Sequence, residues 1–381
     1  TAGSVGEIYS HFTTLLGFQA LADEGKVEAL AAYGNHNNEI YKGLMELVKL
    51  DKKMHCLVLD AKKSINFLSI SSLKPLLEKY SKEDASAAVQ KFLEDVTIPY
   101  FKHIVNITGI NNLCLSGGVA ANVIMNLKAF EEITPNIHVI PAMGDEGTAE
   151  GVAIALMLDN GYSHNDIHWI KDMHMPYFGS SYSDEEIQKT LKKSSQISYI
   201  DQGLNWHSYI AKLLNEGKIG ALFQGKMEWG PRSLGNRSII ALANDNDTRV
   251  KMNKEIKKRP EFQPFCPSIL IDEKDRLFES SYENTHMTCA FRMKKKFLKD
   301  LPSAVHIDGT ARVQFVSKND NQNYYTLLQE VKKLTGYGVL INTSFNKHGR
   351  TIVETPQDAI DDFIDTDLNF MMIGKFLVTR K

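Results

Sequence analysis

Apolar and polar residues follow two rhythms along this chain. A 3.6-residue period predicts helices, and short unbroken apolar runs predict strands. The stretch "SKEDASAAVQKFLEDVTIPYFKHIV", residues 81–105, sets apolar residues at helical spacing behind Ser81, with Asp84 three residues on as a helix-start pairing. "NNLCLSGGVAANVIMNLKAF", residues 111–130, reads as a short strand, a Ser-Gly-Gly turn and a second helix. "IHVIPAMGDEGTAEGVAIALML", residues 137–158, repeats the arrangement around a Gly-Asp-Glu-Gly turn. Two successive units of this kind predict a layered α/β domain whose ligands sit at strand ends.

Gly, Pro and Ser then crowd into "DMHMPYFGSSYSDEEIQ", residues 172–188, which predicts a boundary. The expected division is a domain over 1–172, a linker over 173–190 and a domain over 191–381. The second domain is expected to open with an amphipathic helix from His207 to Asn215 and a strand "IGALF" at 219–223. It closes with a helix over 323–336, a strand over 339–346 and a helix over 355–364. Thr355 suits the N-cap of that last helix, Pro356 its first position and Asp358 its exposed amides. There is no internal repeat and no low-complexity tract.

Composition narrows the classes. With 381 residues, 43% hydrophobic and 24% charged, the chain is long enough for two buried cores. A net charge of -2 and a pI near 6.6 give no reason to expect a general nucleic-acid binder, so any basic site is local. The apolar runs, such as "GVAIALML" at 151–158, are too short for a bilayer and no basic leader precedes them; the expectation is a cytoplasmic protein with no membrane partner. Cys56, Cys114, Cys266 and Cys289 are widely spaced and form no CxxC pair, which fits reduced core thiols. The chain opens on Thr1 rather than Met, as a processed product or a piece of something longer would.

The local basic site is easy to find. "QGKMEWGPRSLGNRSIIALA", residues 224–243, holds Arg232 and Arg237 in a frame of Gly225, Gly230, Pro231 and Gly235. Glycines let backbone amides approach a ligand, and planar guanidinium forks match phosphate or carboxylate oxygens, so the expected ligand is an oxyanion. Between 224 and 260 the chain carries Lys226, Arg232, Arg237, Arg249, Lys251, Lys254, Lys257, Lys258 and Arg259 against Glu228, Asp245, Asp247 and Glu255. For a single lysine there, a solvated face is the simpler reading. Arg312 lies in "DGTARVQ", and Asn342, Thr343, Ser344 and Asn346 follow an apolar strand, where they either bind a phosphate or small amide-like group or only shape the turn. In the first half, Gly117 and Gly118 stand between strand and helix, a place for phosphate or merely for close packing. Asp145 and Glu146 sit at another strand end, where a carboxylate holds a metal or simply caps a helix.

Taken in order, "GEIYSHFTTLLGFQALADEGKVEALAAYG", "LCLSGGVAANVIMN", "GDEGTAEG", "QGKMEWGPRSLGNRS", "KKRPEFQPFCPSIL", "DGTARVQ" and "NTSFNKHGRTIVETPQDA" resemble the O-carbamoyltransferases of the nodulation-protein and cephamycin or aminoglycoside tailoring family, nearly end to end. The resemblance implies an α/β chain made of the C-terminal half of an actin-like, threonylcarbamoyl-transferase-like domain followed by a YrdC-like α/β domain. It implies ATP and carbamoyl phosphate as substrates, carbamoyl adenylate as the intermediate, and a hydroxyl of a sugar-like or other small molecule as acceptor. The residues it singles out are Arg232, Arg237, Lys258, Arg259, Arg312, Asn342 and Ser344 for carbamoyl activation, and Gly117, Gly118, Asn122 and Gly144 for the nucleotide. Asp145 would carry a divalent metal, iron or magnesium, with Glu24 and Lys26 near the same cleft. Family members also carry an upstream half-domain with a histidine pair that His103, His164, His168 and His174 do not reproduce, which implies a complementary N-terminal polypeptide or a homo-oligomer. An actin-fold ATPase or kinase, or a truncated nucleotide-binding regulatory protein, is the alternative.

Overall fold

The computed structural model describes residues 4–167 and 175–381, and the chain divides into two compact units. One comprises residues 1–144 with 288–290, the other residues 145–287 with 291–381. Among the described residues no helix is long and apolar enough to cross a membrane.

The first unit is built on one helix, Lys82–Thr108. Ser81 caps it by accepting the Asp84 amide at 3.0 Å, and Gly109 ends it in the left-handed conformation at φ 68°. The apolar face of that helix, with Val89, Phe92, Leu93 and Val96, packs on Ile8, Phe12, Val27, Ile40 and Leu44 from the helices that precede it. Burying each such side chain contributes roughly 1.5–3 kcal/mol. Two small sheets complete the unit. β1 (Val48–Asp51) and β2 (Cys56–Leu59) form an antiparallel hairpin, and β3 (Leu113–Leu115) lies parallel to β4 (Ile137–Val139). The turns after β3 and β4 are the Gly-rich segments expected at strand ends.

The second unit contains an eight-stranded mixed sheet. Its strands are β5 (Ile197–Asp201), β6 (Gly220–Phe223), β7 (Arg237–Leu242), β8 (Cys266–Leu270), β11 (Gln314–Val316), β12 (Val339–Ser344), β13 (Phe370–Ile373) and β14 (Phe376–Arg380). β9 (Ala290–Arg292) and β10 (Thr310–Arg312) make a separate short ribbon. The sheet order is β11-β8-β12-β7-β6-β13-β14-β5. Helices His207–Asn215 and Gln322–Thr335 cover one face, burying Trp206, Ile210, Leu214, Leu327 and Val331 against Leu222, Ile240, Leu340 and Phe370. Helix Pro356–Ile364 starts as expected: Thr355 accepts the Asp358 amide and Asp358 accepts the Thr355 amide.

Part of the segment expected as linker is ordered secondary structure. Residues 184–191 form a helix, with Ser183 and Glu186 in a capping box and three acids in its first turn. β5 follows and pairs with β14. Ser and Gly density upstream masked that helix start. His168 and His174 lie outside the described residues. Cys266 and Cys289 are buried, as expected of core thiols, whereas Cys114 is exposed and Cys56 half-buried; none of the four is in a disulfide.

Candidate functional site

The motif at 224–243 folds into a loop between β6 and β7 that is tied to itself. Glu228 is buried, and its Oε1 accepts the backbone amides of Leu234, Asn236 and Arg237 at 2.8, 2.8 and 3.1 Å. The amides that the sequence suggested for an external oxyanion therefore hold an internal one. Gly235, at φ 106°, is required for packing, since a Cβ there would stand 2.4 Å from Cδ1 of Tyr324. Arg237 is fully buried at 0% exposure. Its guanidinium donates to the carbonyls of Gln224 (2.7 Å), Asn236 (3.1 Å), Gly225 (3.3 and 3.4 Å) and Ser180 (3.1 Å), and it stacks 3.7 Å from the centroid of Phe223. Burial lowers its pKa to about 10. Arg237 thus clamps backbone in this structure, while Arg232 sits half-buried in the same loop.

The cations that do gather lie on the next connection, between β7 and β8. A π-helical turn, Met252–Ile256, ends where the Lys257 amide reaches the Met252 carbonyl at 2.8 Å, and Lys258 follows at φ 44°. This irregular backbone buries Lys257 to 6% exposure and leaves Lys258 in solvent. Lys257 Nζ donates to Asn346 Oδ1 (2.7 Å) and to the Ser344 carbonyl (3.0 Å), with Asn346 O and Ser344 Oγ at 3.2 and 3.3 Å. Ser344 Oγ in turn donates to Asn346 Oδ1 at 2.6 Å. Arg259 is held by Asn253 Oδ1 at 2.6 Å and stacks 4.1 Å from the centroid of Phe265. Arg312, at the end of β10, donates through Nε to Cys266 Sγ at 2.8 Å.

Arg259 links the other two cations, its charge bearing on Lys257 and the charge of Arg312 bearing on it. Burial lowers Lys257 to about 7, with the Arg259 charge pushing the same way and Asp362 opposing. Burial lowers Arg259 to about 10, with Cys266 opposing and the Arg312 charge adding to the fall. Among the described residues none of Lys257, Arg259 and Arg312 forms an ion pair with a carboxylate. Lining the ends of β8 and β12, they make a cationic cluster short of negative charge. A groove of about 820 Å³ runs past Asp362, lined by Met227, Arg350, Glu354, Asp358, Asp362 and Asp365 among others, and its acidity does not suit an anion.

Family models for the carbamoyltransferase N-terminus and C-terminus match residues 1–154 and 211–380. Nodulation protein NolO of Bradyrhizobium diazoefficiens is 31% identical over 99% of this chain and 69% of its own length. The chain belongs to the carbamoyltransferase family. Within that family, uncharacterized protein MJ1058 of Methanocaldococcus jannaschii is 50% identical across 99% of this chain, which spans 62% of that relative. A solved structure of full-length HypF in the phosphate- and nucleotide-bound form superimposes with a TM-score of 0.31 at 18% identity, over 49% of this chain and 22% of that one.

The residues singled out in this carbamoyltransferase-family sequence fare differently from one another. Arg259, Arg312 and Ser344 stand in or beside the cationic cluster. Asn342 is buried beneath it, with Nδ2 donating to the Ser233 carbonyl and to Ser268 Oγ, both at 3.1 Å. Lys258 is exposed and Arg237 is enclosed. Lys257 and Asn346 carry the contacts that the sequence reading had spread over the whole segment; only the π-turn decides which lysine of the pair points inward.

In the first unit, Gly117 takes φ 93°, and a Cβ on either Gly117 or Gly118 would meet nothing within 4 Å, so space stands open above both glycines. The helix beyond is already capped. Asn122 Oδ1 accepts the Met125 amide at 2.8 Å, Glu28 Oε1 accepts the Ile124 amide at 3.0 Å, and Asn122 and Gln90 pair their side-chain amides at 2.7 and 3.1 Å. Gly144 is half-buried. Asp145 is exposed in a 3-10 turn, and among the described residues no three or more His, Cys, Asp or Glu are assembled as a metal site. His55 and His103 come within 3.0 Å of each other but only as a pair, Lys26 pairs with Asp23 at 2.7 Å, and Glu24 accepts from Ser10 Oγ at 2.8 Å.

Proposed function

We propose that this chain performs the carbamoyl-activating part of an O-carbamoyltransferase: its second unit, of YrdC-like type, joins carbamoyl phosphate and ATP to give carbamoyl adenylate. The first unit, of actin-like type, passes the carbamoyl group to a hydroxyl of a sugar-like or other small acceptor. One observation carries the reading: Lys257, Arg259 and Arg312 are gathered in one part of the second unit, and among the described residues none of them is ion-paired to a carboxylate. Bringing two polyanions into contact requires offsetting their repulsion, and prearranged cations do this without reorganising during the reaction. Ser344 and Asn346, within reach of Lys257, supply neutral polar groups suited to an amide-like carbamoyl end.

The overall reaction consumes one water. Carbamoyl phosphate loses inorganic phosphate, and the carbamate oxygen displaces pyrophosphate from the α-phosphorus of ATP. Because that displacement is reversible, labelled pyrophosphate should enter ATP only when carbamoyl phosphate is present. Lys257→Met and Arg312→Met should each reduce this exchange by roughly 100-fold, the scale on which a positioned donor contributes to stabilising charge. Exchange that is absent, or that proceeds equally without carbamoyl phosphate, would overturn the reading. No metal-dependent step is assigned to the residues of this chain.

A further inference from the structure

Behind the cationic cluster lies a second charged assembly with no role in the reaction as described. Asp362, on helix Pro356–Ile364, is buried, accepts the Lys347 amide at 2.8 Å and is gripped by Arg350 Nη1. Arg350 Nη2 reaches Asp365 at 2.6 Å, and Lys347 Nζ reaches the same carboxylate at 3.2 Å. The Arg350 carbonyl accepts Asn346 Nδ2 at 2.6 Å, which leaves Asn346 Oδ1 turned to Lys257. Backbone continues the linkage: Val353 donates to the Phe345 carbonyl at 3.0 Å, and Phe345 is fully buried. The turn that offers Ser344 and Asn346 to Lys257 is thus bolted to the helix through Asp362.

We infer that Asp362 is a positioning residue for the cationic pocket, fixing through Arg350 and the Lys347 amide the turn that presents Ser344 and Asn346 to Lys257, without touching the ligand. The inference rests on the pocket assignment above. The charged groups bearing on Lys257 are Arg259 from its own connection and Asp362 from the helix, with Ser344 and Asn346 as neutral partners from β12 and its turn. Asp362 is the carboxylate that opposes the loss of its proton.

Sulfate is the probe, because it keeps its charge between pH 5 and 9 while phosphate does not. Calorimetric titration of the full chain should show sulfate affinity falling as pH rises through about 7, where Lys257 gives up its proton. Asp362→Asn should move that midpoint to lower pH, weakening binding roughly fivefold at neutral pH for a shift of about one unit. Arg350→Gln, at a half-exposed side chain, should move it the other way by leaving the Asp362 charge unmatched. Opposite shifts are the signature, since a merely structural role lowers affinity evenly at every pH. If Asp362→Asn does not fold by circular dichroism, the alkaline shift in Arg350→Gln decides alone. Midpoints unchanged in the folded variants, or no sulfate binding at any pH, would overturn the inference. Opposite shifts in a chain that lacks pyrophosphate exchange would keep it and remove the proposed function.

Discussion

Replacing Arg237 by Met should cost the second unit about 3 kcal/mol, a figure that follows from which carbonyls lose their donors. The Ser180 carbonyl keeps the Met227 amide at 3.0 Å and the Asn236 carbonyl keeps the Gln224 amide at 3.0 Å. The Gln224 and Gly225 carbonyls accept from Arg237 and, among the described residues, from no other group. The buried Gln224 carbonyl left unpaired costs about 2 kcal/mol, the charge-assisted bonds lost at the more exposed Gly225 carbonyl cost about 2 kcal/mol together, and losing the guanidinium stack on Phe223 adds about 1 kcal/mol. Relief from holding a charge out of water takes back roughly 2 kcal/mol. For a unit of this size a net loss of about 3 kcal/mol lowers the melting temperature by roughly 6–12 °C. Urea midpoints and thermal melts of Arg237→Met against the unaltered chain measure both quantities. A melt within about 2 °C of the original would refute the clamp and return Arg237 to the ligand-binding candidates. Activity lost in an Arg237 variant says nothing about ligand contact until this stability change is known.

Glu228→Gln should lower stability by about 2 kcal/mol, because three charge-assisted amide bonds become neutral ones and a buried NH2 replaces Oε2; an unchanged urea midpoint would mean that water satisfies those amides. Lys257 sets a pH dependence of defined sign. Its folded pKa of about 7 lies below the ordinary 10.5, so the unfolded chain binds more protons between those values and stability rises with pH across that window. From pH 7 to 9 the unaltered chain should gain about 2 kcal/mol relative to Lys257→Met. Parallel pH curves for the two proteins would show that the four surrounding oxygens hold the ammonium charged throughout.

Local signals in the sequence announced much of the architecture. Ser81 and Thr355 start helices where their side-chain oxygens meet the amides three residues on, and the periodic segments at 207–215 and 323–336 form helices on the sheet. Such features depend on neighbours within a few residues, which is the range that pattern reading covers. The site was only partly legible for the opposite reason. Whether Lys257 or Lys258 turns inward is fixed by a π-turn and a left-handed residue, neither of which periodicity can reveal. That Glu228 fills the amide nest, and that Asn122 pairs with Gln90, depends on side chains meeting across folded space rather than along the chain. Arg237 illustrates the limit well: guanidinium in a Gly/Pro frame signals a demand for acceptors, and backbone carbonyls meet that demand as readily as phosphate does.

The carboxylate of Glu228 has a thermodynamic consequence for whatever binds nearby. A loop whose amides already grip an internal anion does not wait for a substrate to organise it. An arriving ligand is spared the ordering entropy that a slack loop would exact, so more of the contact energy appears as affinity.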